Sequence, residues 1–123
     1  ENPGAVLGTH SLKFHKYVTS WSSVVQKPIR QTVEVVPLRD VAPAVGDQLK
    51  VQVLYEGNPA AGWRIGFDDY EDSKLSTDTA GRAILTVRPG HNFISVGNRF
   101  AVQGDPRVDI LSVSANLVFD AAK

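Results

Sequence analysis

The sequence predicts an all-β sandwich built as a single domain over residues 1–123. Three observations predict it. Apolar and polar residues alternate along several stretches, the period-two spacing that sends successive side chains to opposite faces of a strand. Clusters of Gly, Pro, Asn and Asp punctuate those stretches at short, regular intervals. No stretch keeps a helical period: the one candidate, Trp21 to Gln26, is too short and too rich in Ser and Val.

Taken in chain order, the first strand covers Thr9 to Val18, with Leu12, Phe14 and Val18 on one face. A second runs from Thr32 to Val36 and is expected to end at Pro37, which has no N–H to give a ladder. In the third, Leu49, Val51, Val53 and Tyr55 alternate with Lys50, Gln52, Leu54 and Glu56. Trp63, Ile65 and Phe67 form the inner side of a fourth, and Ala83, Leu85 and Val87 that of a fifth. A sixth covers Asn92 to Val102, with Ile94, Val96 and Phe100 opposed to Phe93. The last places Leu111, Val113, Ala115, Leu117 and Phe119 against Ser112, Ser114, Asn116 and Val118. Turns are expected at Val45-Gly46-Asp47, Glu56-Gly57-Asn58-Pro59, Asp78-Thr79-Ala80-Gly81, Arg88-Pro89-Gly90 and Gly104-Asp105-Pro106. Short strands with turns at this spacing predict an antiparallel immunoglobulin-like sandwich of seven to nine strands, with Trp63 as its core tryptophan.

Composition narrows the function classes. Thirteen basic residues balance thirteen acidic ones, which speaks against a nucleic-acid partner, since that needs a basic stripe or patch. There is no cysteine, so disulfides and thiolate metal sites are excluded. No apolar run approaches the roughly 20 residues needed to span a bilayer, and direct membrane insertion is not expected. Methionine is absent even at position 1, which suggests a piece of a longer chain.

Few residues carry chemistry. His10, His15 and His91 are the possible imidazole ligands. His10 and His15 lie five apart on one strand and so point to opposite faces, whereas chelation within a strand needs i and i+2. His15 shares its face with Lys13 and Tyr17; if a metal site exists, His15 is its candidate ligand, since it projects from the outer face. Asp68, Asp69, Glu71 and Asp72 could offer oxygens to a hard cation, but they lack the spacing and central glycine of a calcium loop, and like charges this close read rather as a solvated loop. Thr77 and Asp78 are expected to bond the local backbone, with Gly81 at positive φ. No cysteine nucleophile, GxSxG elbow or HExxH occurs, and Ser20, Ser22 and Ser23 have no sequence-adjacent base, so neither an enzyme nor a cofactor is expected. Trp21 is open to two readings: a sugar-stacking platform together with Tyr17, Tyr55 and Tyr70, or packing within the domain or against another.

Three blocks carry a resemblance. They are Ser11 to Lys16, the run from Thr32 through Gly46-Asp47 to Pro59, and Thr77-Asp78-Thr79-Ala80-Gly81-Arg82-Ala83 followed by Pro89-Gly90. Together they resemble the C-terminal half of a bacterial exported family of unknown function linked with nickel or cobalt uptake; the last block also recurs in transthyretin-like modules. The resemblance covers about Leu7 to Val118. It implies a periplasmic or other cell-envelope location and an upstream domain of the same protein as partner. It further implies a divalent metal ion or a membrane transporter component as a further partner. The function expected is a non-catalytic binding or accessory domain, with a structural or carbohydrate-contacting module as the alternative.

Overall fold

A computed structural model of the chain describes the backbone of residues 9–101 and 110–121, and side chains over 11–100 and 110–121. Its strands form two sheets. In the first, β1 (Thr9–Val18), β8 (Ile110–Ala121), β7 (Gly90–Ala101) and β5 (Arg64–Phe67) lie side by side in that order. In the second, β3 (Gln48–Tyr55) pairs with β2 (Val33–Pro37), β6 (Arg82–Thr86) and the two-residue β4 (Asn58–Pro59). The architecture is an all-β sandwich.

One pairing corrects the antiparallel expectation. β1 runs parallel to β8, from Thr9 opposite Ile110 to Val18 opposite Phe119. Side-chain alternation is the same in both directions, so the pattern does not report strand sense. Parallel pairing needs a long connection, and nearly the whole domain lies between these two strands. The other pairings are antiparallel. Two boundaries also move. Pro37 is the last residue of β2, an edge strand where its missing N–H costs no ladder bond. The β3–β4 turn is tighter than its sequence suggests: Glu56 and Gly57 both take positive φ, and Asn58–Pro59 already pairs back onto β3. The turn expected at Gly104-Asp105-Pro106 lies outside the described residues, as does Val102.

The inward positions of both sheets form one core. Val51, Val53, Trp63, Ile65, Leu85, Val87, Val113 and Leu117 are all buried in it, joined by Leu49, Ile94, Val96 and Phe119. Each such side chain contributes about 1.5–3 kcal/mol relative to exposure, which is what holds the layers together. Aromatics close the two ends. Trp63 packs with Tyr55 and Phe100 at ring separations of 5.3 and 5.9 Å. At the other end Trp21 meets Phe119 edge-on at 5.5 Å, so Trp21 is a packing residue rather than an open platform.

β2 is buried on both faces, which alternation does not anticipate. Val33 and Val35 face the core, while Glu34 points the other way and is 1% exposed. Its carboxylate accepts from the Lys16 ammonium and from the backbone amides of Ile29 and Arg30, at 2.8 and 3.1 Å. Lys16, on β1, also donates to the Val35 carbonyl, and the Gln31 amide donates to the His15 carbonyl. Two edge strands from different sheets are thereby tied together along one side of the sandwich.

Candidate functional site

The outer face of the β1–β8–β7–β5 sheet gathers most of the polar side chains singled out above. Register lays them out in rows across β1, β8 and β7. Lys13 stands beside Ser114 and Gly97; His15 stands beside Asn116 and Ser95; Tyr17 stands beside Val118 and Phe93. Because Ser95, Ser112 and Ser114 are short, the centre of the face is lower than its rims. The result is an open trough of about 470 Å³.

The acidic run forms the rim on the β5 side. Asp69 caps a short 3₁₀ turn (Tyr70–Asp72) by accepting from the Glu71 amide at 2.9 Å. The Tyr70 ring lies directly on Gly97, where any β-carbon would collide with it. Asp68 pairs with Arg88 at 3.3 Å and Glu71 with Arg99 at 2.9 Å. Asp68, Asp69 and Glu71 are thus committed to local partners, and among the described residues the run forms no oxygen cage.

The histidines are placed singly. His15 Nδ1 lies 2.8 Å from Asn116 Oδ1. An amide oxygen only accepts, so Nδ1 is the donor in this bond. His91 Nδ1 lies 2.9 Å from Asp120 Oδ1, while the Tyr17 hydroxyl donates to Asp120 Oδ2 at 3.0 Å. His15 is opposite Asn116 and His91 opposite Asp120. Four residues along β8 and two strand spacings across therefore separate them, about 13 Å by about 10 Å. No single ion at the usual ligand distance of about 2 Å can bridge that gap. His10 occupies β1 opposite Leu111, five residues from His15. Among the described residues, no group of three or more His, Asp or Glu side chains is arranged to hold a metal ion. Among the described residues the donor set does not fit a resident nickel or cobalt ion.

The Tyr17–Asp120–His91 cluster was not legible in the sequence, since only the strand register brings those positions together. The His91 bond, and after it the Tyr17 bond, holds the Asp120 carboxyl below its ordinary value; the same carboxylate raises the Tyr17 phenol. An oriented imidazole beside a carboxylate can work as a general base when a hydroxyl meets its other nitrogen. Tyr17 instead meets the carboxylate, so this cluster ties β1, β8 and β7 together.

The remaining candidates are structural. Ser22 caps the 3₁₀ turn Ser23–Gln26 through the Val24 amide at 3.3 Å. Thr77 is buried, donates to the Ala60 carbonyl and accepts from the Trp63 amide at 3.0 Å. Asp78 accepts from the Arg82 and Ala80 amides, both at 2.9 Å, and the Arg82 bond leads in holding its carboxyl below the usual range.

Comparison with known proteins adds one relative. A Haemophilus influenzae protein described only as uncharacterized is 29% identical over 121 residues, covering 98% of this chain and 52% of that protein. The chain thus spans about half the length of the curated relative it matches. No family model matches the chain, and no solved structure matches it.

Proposed function

We propose that the chain is a non-catalytic binding or accessory module of the cell envelope, working within a longer exported protein. Its contact surface is the outer face of the β1–β8–β7–β5 sheet. The observation that carries this reading is the trough on that face: an open polar surface spread over three strands, with its groups held apart. Catalysis needs groups that converge on one reacting atom, whereas recognition uses dispersed contacts of this kind. The strand order favours the immunoglobulin-like type within the sandwich class. β2–β3–β6 corresponds to strands A, B and E of that fold and β5–β7–β8 to C, F and G, with β1 added beside the last strand.

The module serves nickel or cobalt uptake as a periplasmic accessory, with an upstream domain or a membrane transporter component as partner. It does not carry the ion itself. Support for this context is the resemblance in the Thr32–Pro59 and Thr77–Ala83 blocks. The test is cellular. A strain lacking the full-length protein should accumulate less Ni²⁺ or Co²⁺, restored by the full-length protein but not by a version without this domain. Unchanged accumulation in the deletion strain, or a cytoplasmic protein on fractionation, overturns the reading.

A further inference from the structure

We infer that the free edge of β6 binds an extended peptide segment of a partner protein, which adds antiparallel to the sheet as a further strand. This edge belongs to the second sheet and lies beyond the contact face proposed above.

The backbone supplies the first reason. Among the described residues β6 pairs with β3 and with no other strand. The Val53 amide donates to the Gly81 carbonyl and the Val87 amide to the Asp47 carbonyl, which fixes the phase of the ladder. Ala83 and Leu85 therefore turn their amides and carbonyls towards β3, while Arg82, Ile84 and Thr86 turn theirs outward. Both ends of that outward row are closed. The Asp78 amide donates to the Arg82 carbonyl and the Arg82 amide to the Asp78 carboxylate; the Arg88 amide and carbonyl are held by the Asn92 side chain. Between them, the amides and carbonyls of Ile84 and Thr86 have no hydrogen-bond partner among the described residues. The outer edge of β5, by contrast, is covered: Ile65 donates to the Leu75 carbonyl and Thr77 to the Trp63 carbonyl. Open edges are usually blunted by a charge, a proline or a bulge, and Ala83 to Thr86 carries none of these.

The groove beside this edge supplies the second reason. It holds about 460 Å³, and Phe67, Leu75, Ile84 and Leu85 form its apolar lining. Ile84 is 50% exposed and Leu75 38%, an apolar strip left open to solvent. A strand laid antiparallel on the edge meets Ile84 and Thr86 with two residues, which exchange all four open bonds. The residue between those two stands opposite Leu85, whose side chain points inward, so its own side chain enters the groove. An apolar residue there is shielded from water, whereas a charged one loses its hydration.

A second copy of the chain fits the edge less well. Two β6 strands related by a two-fold axis engage all four groups only if Ile84 of each meets Thr86 of the other. That register sets Arg82 of each opposite Arg88 of the other, a like-charge pair. Registers centred on Ile84 or on Thr86 place an open residue opposite Arg82 or Arg88, whose backbones are already held. Half of the open groups then stay unpaired.

The test titrates the isotope-labelled 123-residue chain with a blocked heptapeptide of alternating Thr and Val that carries Leu at its centre. Amide chemical shifts and hydrogen exchange follow the binding. Saturable binding is expected, with shifts at Ile84 and Thr86 and slowed exchange of their two amides. The same peptide N-methylated at the two Thr residues flanking Leu lacks the donors for the Ile84 and Thr86 carbonyls. It should bind at least about tenfold more weakly. A Glu-centred peptide should weaken to a similar extent. Thr86→Pro removes one open amide at an edge position where proline is tolerated, and should weaken the parent peptide as well. Should that variant not fold, the methylated peptide reads the same bonds without altering the protein. No saturation at about 1 mM of the parent peptide, equal binding of the methylated or Glu-centred peptide, or shifts that leave β6 unmoved overturn the inference. So does a dimer of the chain alone that Thr86→Pro dissociates, which would give the edge to a second copy.

Discussion

A β-carbon placed on Gly81 would stand 2.7 Å from the Val53 carbonyl oxygen and 2.8 Å from the Ala60 amide nitrogen. The residue also holds φ +75, where a side chain is strained whatever the space. Gly57 has a similar φ of +83 but open space around it, so the two glycines separate strain from collision. Gly57→Ala should cost about 1 kcal/mol. Gly81→Ala adds backbone collision and should cost about 2–4 kcal/mol, read by urea unfolding. Equal losses would show that collision adds nothing at Gly81. The positive φ was legible, because Asp78 through Gly81 is local turn chemistry; the crowding was not, because Val53 and Ala60 arrive from elsewhere in the chain. Glu34 shows the same limit more sharply. Nothing in the sequence pairs it with Lys16, yet the two side chains are 1% and 10% exposed and bonded. Removing one member of a buried pair leaves the other charge without a partner, at about 3–5 kcal/mol. Glu34→Ala should reach that range and exceed Lys16→Met, since it also frees the Ile29 and Arg30 amides, which the order of the two unfolding midpoints would check.

Strands were the most legible elements because alternation is a local record of burial. The extent of β1 follows directly from Thr9 to Val18, and Ile94, Val96 and Phe100 do oppose Phe93 in β7. Alternation fails where both faces are covered. In β2, Glu34 and Val36 face away from the core and are buried all the same; in β8, Asn116 and Val118 are buried on the outer side of the sheet. Turns were legible for their own reason, and the Asp78 turn has a pH signature. Its carboxyl is lowered chiefly by the Arg82 amide, so folding favours the ionised form. That contribution is fully present above the unfolded carboxylate value of about 3.9 and is lost as pH falls through the lower folded value. Asp78→Asn has no charge to lose there. The stability gap between parent and Asp78→Asn should therefore narrow as pH drops from 5 towards 2, measured by urea midpoints. A gap that stays constant would remove ionised Asp78 from the account of the turn.

Across the whole molecule, metal binding is a question of convergence, and convergence is set by the way the sheets assemble. The sequence offered three histidines and an acidic run without saying which would meet. The register separates His15 from His91 along and across the first sheet, and local partners claim the Asp68, Asp69 and Glu71 side chains. Each of the two described imidazoles is also held through Nδ1, His15 by Asn116 and His91 by Asp120, which leaves one nitrogen apiece facing its own surroundings. Imidazole nitrogens suit Ni²⁺ and Co²⁺, but a tight site needs three or four donors around one point. Residues 1–123 should therefore show no stoichiometric binding of Ni²⁺ or Co²⁺ at a micromolar dissociation constant or tighter. Calorimetric titration of the parent and of His15→Ala should give the same weak, featureless heats. Stoichiometric binding by the parent that His15→Ala abolishes would recast the module as a metal carrier built around the outer face of β1.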